Sequence, residues 1–350
     1  SSAATSARAS SAGAAPMADG DRISGEAEVV AMLAPLAKDF AGAFGLSDDC
    51  AALTPEPGRD LVLKTDAIAE GVHFFADDSA ADIGWKALAV NVSDLAAKAA
   101  TPRVYLMALS FPVAPTRAWL AGFTLGLEAA QASFGIVLAG GDTDRRPGPL
   151  SIALTVIGDV PTGRMVRRGT ARPGDRLFVS GTLGDAALGL ALRRVTVSCA
   201  AWGLDELAGR RLIGRYLRPQ PRLALRQALL AHAHAAMDLS DGLMKDLGRM
   251  AAASGAGALV RLDLLPLSDP AIAALRHDAR ILQAIVGGGD DYEVLAAIPA
   301  DRADDFIADA ALVGVPVTEI GAMTADSGHV ALQDAGGRTV PIAEAGWDHF

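Results

Sequence analysis

The sequence predicts an α/β or α+β protein of two domains, and three observations carry that expectation. Helix-like and strand-like apolar periodicities alternate almost from end to end. A chain of 350 residues is long enough for two ordinary cores. The segment VPTGRMVRRGTARPGDR, 160–176, is dense in Pro, Gly and Arg, interrupts the alternation and reads as a connection. Residues 23–160 are therefore expected to form the first domain and 161–350 the second. Residues 1–22 are small, polar and rich in Gly, Ser and Ala, without the basic start and apolar core of a secretory signal, and are expected to be a disordered extension.

Within the first domain the pattern gives a helix over 26–44, a strand at LVLKTDAI (61–68) and a helix over DIGWKALAVNVSDLAAKAA (82–100). A strand at 104–111, a helix at 116–133 and strands near 136–139 and 150–158 follow. Beyond the connection come a strand at 177–180, helices near 184–194, 205–217 and 222–232, and a strand, turn and helix around DLSDGL (238–243). Strands at 258–263 and 291–298 complete the pattern. Helix 82–100 is apolar on nearly all sides, as a buried helix is, except for a polar stripe of Asn91, Asp94 and Lys98 at spacings of three and four. An unpaired carboxylate on such a helix would be costly, which marks Asp94 as functional.

Composition narrows the function. The formal charge is −10, from 31 basic and 41 acidic residues, and argues against nucleic acid as a partner. No apolar run is long enough to cross a bilayer, so no membrane partner is expected. Two cysteines, Cys50 and Cys199, give neither a disulfide framework nor a thiolate metal site, and fit a reducing cytoplasm.

Aspartates recur beside Gly, Ser or Thr at expected strand ends and turns: SDDCA (47–51), KTD (64–66), GGDTD (140–144), DLSDG (238–242) and GGGDDYE (287–293). Any one of these suits an ordinary turn or cap. Five together suggest a shared cleft, where carboxylates need cations between them. Oxygen ligands without cysteine favour Mg²⁺ or Mn²⁺, and magnesium commonly shares its coordination with substrate phosphates. No G-x-x-x-x-G-K-[ST] is present, nor a G-x-G-x-x-G after a strand. The glycine pairs in AGGDT and VGGGDD remain as phosphate cradles, with Arg145, Arg146, Arg167 and Arg168 as fixed positive charge. In AHAHAAMDLSDGL (231–243), Ser240 lacks a nucleophile elbow, and His232 and His234 fall on the preceding helix end. Asp238 and Ser240 are expected on one face of a short strand, with Asp241 beginning the turn.

Taken in order, SDDCA, KTD followed by EGVHF (70–74), KALAVNVSDLAAKAATP (86–102), AGGDTDR (139–145), DLSDGL, GGGDDYE and the ending GWDHF (346–350) resemble the thiamine-monophosphate kinase family. That family lies within the group of ATP-using enzymes related to aminoimidazole ribonucleotide synthetase. The resemblance implies that group's two-domain fold, with an N-terminal domain that pairs in a homodimer. It also implies ATP-dependent phosphorylation of thiamine monophosphate with several Mg²⁺ ions. By motif match, Asp49, Thr65, Asp66, Asp94, Asp142, Asp238 and Asp241 fall on metal-binding positions. Gly141, Asp142, Arg168 and Ser240 fall on nucleotide-contacting ones. His73, Asp290 and Trp347 line the thiamine phosphate pocket, and Arg145 reaches the transferred phosphate. Catalysis is thus expected from Arg145, Asp142 and Asp94.

Lys64 stands where the family often has Ser, and Asp290 where it has Glu. The rival expectations are another enzyme of the same group, of the ribonucleotide synthetase or selenophosphate synthetase type, or a non-catalytic Mg²⁺-nucleotide sensor. A selenophosphate synthetase would carry a Cys or selenocysteine with a nearby Lys close to the N-terminus, which this sequence lacks.

Overall fold

The structure, a computed structural model, describes residues 21–342 and 346; most of the expected extension, and Trp347, lie outside the described residues. In chain order the first domain comprises α1 (Glu26–Leu33), β1 (Arg59–Ala69), α2 (Ala80–Ala97), β2 (Thr101–Phe111), α3 (Arg117–Phe134), β3 (Val137–Arg145) and β4 (Ser151–Pro161). Its four strands form one sheet in the order β1-β4-β2-β3, in which β4 is antiparallel to β1 and β2 while β3 runs parallel to β2.

The second domain comprises β5 (Arg176–Ser180), α4 (Asp185–Arg193), α5 (Glu206–Leu217), α6 (Arg226–His232), β6 (Ala235–Asp238), α7 (Leu243–Ser254) and β7 (Gly257–Arg261). It continues through α8 (Asp269–His277), α9 (Ile281–Gly287), β8 (Val294–Ile298), α10 (Ala303–Leu312), β9 (Val317–Thr324) and β10 (Val330–Gln333). The six strands are ordered β10-β7-β9-β5-β8-β6.

Helix α2 explains how the domains meet. Ser79 caps its N-terminus by accepting from the Asp82 N–H. The helix packs on β1, β4 and α3 of its own domain and on β6 and β8 of the other. A helix held between two sheets must be apolar all round, and every residue from Ile83 to Ala97 is buried except Asp94. That break in burial is where the cleft begins. The connection also belongs to this junction: Val166 is buried in a cluster with Ala97, Leu229 and Phe306.

One expected element is corrected. The helix over 26–44 ends at Leu33 and gives way to 3₁₀ turns at Ala34–Ala37 and Ala41–Leu46. Pro35 cannot donate to the preceding turn, and Phe44 and Gly45 are left-handed, so a continuous α-helix is excluded. Past residue 263 the structure adds α8, α9, α10, β9 and β10, segments of four to ten residues. Such short runs do not separate the two periodicities. Among the described residues no helix is long and apolar enough to cross a membrane.

Candidate active site

A cavity of about 450 Å³ opens where α2, the connection and the β6–α7 turn converge. Lys64, Asp94, Lys98, Arg167, Arg168, Asp238, Ser240, Asp246 and Arg249 are among its lining residues. Lys64 comes from the middle of β1, and its ammonium lies 2.8 Å from Asp94 Oδ2 and 3.0 Å from Asp66 Oδ2. Burial opposes the charge on Lys64, but Asp94 and Asp66 hold its pKa above the ordinary range. Lys98 donates to the carbonyl of Ala236 at 2.7 Å, and burial lowers its pKa against the pull of Asp238 and Asp94. Asp238 ends β6. Burial first, then the nearby Asp94 and Asp246 carboxylates, push its pKa well above the usual range.

Asp246, in the first turn of α7, is fully buried and shapes the turn before it. Its Oδ2 accepts from the backbone N–H of Ser240 at 3.0 Å and of Asp241 at 2.9 Å, while Arg249 bridges Asp246 and Asp241. Ser240 lies beyond the strand, in the turn, so the shared strand face expected for Asp238 and Ser240 does not form. Leu239 still pairs with the backbone of Glu293 and Tyr292, and the bonds to Asp246 begin at Ser240. Neither histidine serves Ser240: His232 pairs with Asp309 at 2.7 Å and His234 with Asp175 at 2.9 Å.

The expected substrate side is built around a residue that was not singled out from the sequence. Lys86 on α2 is 2% exposed. Its ammonium donates to the His73 carbonyl at 2.9 Å and to Asp290 Oδ2 at 3.1 Å, and sits 3.6 Å from the Tyr216 ring centroid. Burial lowers its pKa despite Asp290. The Tyr216 hydroxyl donates to the same His73 carbonyl at 3.0 Å. The His73 ring accepts from the Ala69 N–H through Nδ1, which puts the neutral ring's proton on Nε2. Asp290 has φ +71 and donates its N–H to the Ser240 carbonyl at 2.9 Å, so the GGGDDYE loop is fastened to the DLSDG turn. Non-glycine residues are uncommon in that left-handed region, and aspartate is among those that tolerate it best.

Other expected residues stand apart from this cavity. Asp49 is exposed in the loop after the 3₁₀ turn that packs on β3. Asp142 and Arg145 are exposed on β3 itself, which runs on through GGDTD and ends at Arg145. Thr65 donates its hydroxyl to the Leu154 carbonyl at 3.0 Å, across the β1–β4 pair. Gly141 has a packing reason for being glycine: a Cβ there would lie 1.9 Å from the Met107 carbonyl oxygen of β2. Among the described residues no three Asp, Glu, His or Cys side chains converge as a ready cage for a cation.

The available signal for the missed residues was scarcity. The chain holds five lysines, and Lys64, Lys86 and Lys98 all sit at this junction.

Comparison with known proteins identifies the family and the fold. Residues 47–160 match the family described as AIR synthase related protein, N-terminal domain, and residues 172–333 match the corresponding C-terminal domain. A thiamine-monophosphate kinase of Caulobacter vibrioides is 40% identical over 324 residues, spanning 92% of this chain and 89% of that protein. A crystal structure of thiamine-monophosphate kinase from Stenotrophomonas maltophilia superposes with a TM-score of 0.74 at 40% identity, over 86% of this chain and 90% of that one. A structure of AaThiL complexed with AMPPCP and TMP gives 0.74 at 30% identity, over 89% and 98%.

Proposed function

The chain belongs to the thiamine-monophosphate kinase family, and from that premise we propose how its cleft transfers the γ-phosphoryl group of ATP to thiamine monophosphate, giving thiamine diphosphate. The carrying observation is that both domains and their connection contribute to one cavity: Lys64 and Asp94 from the first, Arg168 from the connection, Asp238 and Ser240 from the second. The AaThiL complex, with a nucleotide analogue and the acceptor bound together, supports one site for both.

The acceptor is itself a phosphate whose second pKa of about 6 leaves it mostly dianionic at neutral pH. No strong general base is needed. The work is to bring two polyanions into line and neutralise them. Gly141, Asp142, Arg168 and the Ser240 hydroxyl hold the nucleotide in this reading, Arg145 meets the transferred phosphoryl group, and His73, Asp290 and Trp347 hold the acceptor. Asp49, Thr65, Asp66, Asp94, Asp142, Asp238 and Asp241 are proposed to hold Mg²⁺.

The residues present fit that ion. The donors are oxygens, Asp66 and Asp94 already converge on one cation in the form of the Lys64 ammonium, and Asp238 is held unfavourably close to other carboxylates. When bound, magnesium supplies charge neutralisation to the polyphosphate. Transfer is direct, without a phosphoenzyme. Incubation with Mg²⁺, ATP and thiamine monophosphate should yield thiamine diphosphate, with inversion at an isotopically chiral γ-phosphate; binding of ATP without product would favour the sensor.

We further propose a homodimer through the open face of the four-stranded sheet, which exposes Leu63 of β1 and Leu106 of β2. Sedimentation should report a dimer that Leu63→Asp weakens. A cytoplasmic location accords with the two free cysteines.

A further inference from the structure

Lys64 is fixed by its strand and free only in its side chain. The backbone at this position is paired with Val156 inside the β1–β4 ladder, so the residue cannot swing out with a loop. Its four-carbon stem carries the ammonium to the point where two carboxylates from different elements face each other, Asp66 on β1 and Asp94 on α2. The two contacts, 3.0 and 2.8 Å, are ordinary ammonium to carboxylate distances. A hard divalent ion binds oxygen at roughly 2.0–2.1 Å. Both contacts use the Oδ2 oxygens: an ion bound to those oxygens would occupy the point the ammonium now holds, and two positive centres at that spacing repel strongly.

We propose that Lys64 is a built-in counter-cation of the metal site, which clamps Asp66 to Asp94 before metal arrives and is displaced when a divalent ion enters. The inference rests on the reading that Asp66 and Asp94 are metal ligands. Loading is then an exchange of cations rather than the filling of a bare acid cluster. The two acids stay assembled at low metal, and the ion binds more weakly than the carboxylates alone would allow. Lys64 lines the same cavity as Arg168, so the expelled ammonium remains in the cleft that takes the polyphosphate. Lys98 provides the internal comparison, since it lines the cavity too but its ammonium donates to a backbone carbonyl at 2.7 Å.

The test is Mn²⁺ binding to the full chain without nucleotide, followed by the electron paramagnetic resonance of free Mn²⁺, with thermal melting in EDTA alongside. Lys64→Met should bind Mn²⁺ about tenfold more tightly than the unaltered protein, the effect of removing a competing cation from a partly buried pair. It should also melt at a lower temperature in EDTA and recover that loss when Mn²⁺ is added. Lys98→Met should change Mn²⁺ affinity far less. An equal gain in Lys98→Met would reduce the effect to general charge and overturn the displacement. Unchanged affinity in Lys64→Met, with Asp94→Asn still weakening Mn²⁺ binding, would overturn the inference while leaving the metal reading intact. Unchanged affinity in Asp94→Asn would overturn both.

Discussion

Replacing Lys86 with Met shortens the side chain by one atom and removes one buried charge that three groups surround. At 3.1 Å from Asp290 Oδ2, the gross attraction is about 5 kcal/mol at an effective dielectric of roughly 20. Desolvation of a lysine that is 2% exposed offsets much of this. Losing one partner of a buried pair typically costs ~3–5 kcal/mol, because the other charge stays behind. Asp290 keeps 22% of its side chain exposed and can recover some hydration, and the His73 carbonyl retains the Tyr216 hydroxyl. The expected loss therefore falls at or just below the lower end of that range, about 2–3 kcal/mol.

The kinetic consequence is selective. Lys86 ties the His73 backbone of the first domain to Asp290 of the second, so its removal should loosen the proposed acceptor side alone. The KM for thiamine monophosphate should rise tenfold or more, on the order of 1.4 kcal/mol of lost positioning, with KM for ATP within about twofold. Urea denaturation and initial rates with each substrate varied in turn read both effects, and Lys86→Arg should restore part of the first. A stability loss below about 1 kcal/mol, or equal rises in both KM values, would refute a positioning role for Lys86.

Four further outcomes are expected. Asp238→Asn should lower turnover at saturating Mg²⁺ by about two to three orders of magnitude, measured as thiamine diphosphate formed. Gly141→Ala should destabilise the nucleotide-free protein by about 1–3 kcal/mol, because its Cβ would meet the Met107 carbonyl; a melting temperature unchanged from the parent would contradict this. Glu293 is buried with Ser180, Arg215 and Arg222 on its two oxygens, and Glu293→Gln should cost roughly 3–5 kcal/mol in chemical denaturation. Glu28 is held at about 2 by the Ser24 N–H and hydroxyl and by Arg117, so its contribution is complete above pH 4.5 and is lost as pH falls toward 2. The melting-temperature gap between the parent and Glu28→Gln should therefore close over that window.

Legibility in the sequence followed how local the cause was. Helix α2 could be read because its eighteen consecutive residues repeat one pattern, and the odd carboxylate in it, Asp94, is the residue that breaks its burial. The break in the first helix was also written locally, in Pro35, but a long apolar stretch outweighed it. Lys86 and Lys64 could not be read in the same way. Each looks like an ordinary lysine until a second element, distant in sequence, brings Asp290 or Asp94 to it, and no periodicity records that meeting. The same holds for Asp246, whose neighbours in sequence suggest a first-turn acid and whose structural task is to hold the backbone of Ser240 and Asp241.

A protein of charge −10 that brings together two polyanions must solve a problem the acid motifs alone would worsen. The cavity answers it with mixed charge. Asp94 and Asp238 alternate with Lys64, Lys98 and Arg168 on its walls, and Asp246 with Arg249. The bases keep the acids from repelling one another before metal and nucleotide arrive, and the acids keep the bases ordered. On the proposed metal reading, binding a metal-nucleotide would exchange partners within a preassembled set instead of ordering a disordered one, which lowers the conformational cost of forming the reactive complex. On this argument, neutralising a single base in the cleft should be felt first in the metal-free protein and only afterwards in turnover. Neutralising a single acid should be felt in the reverse order.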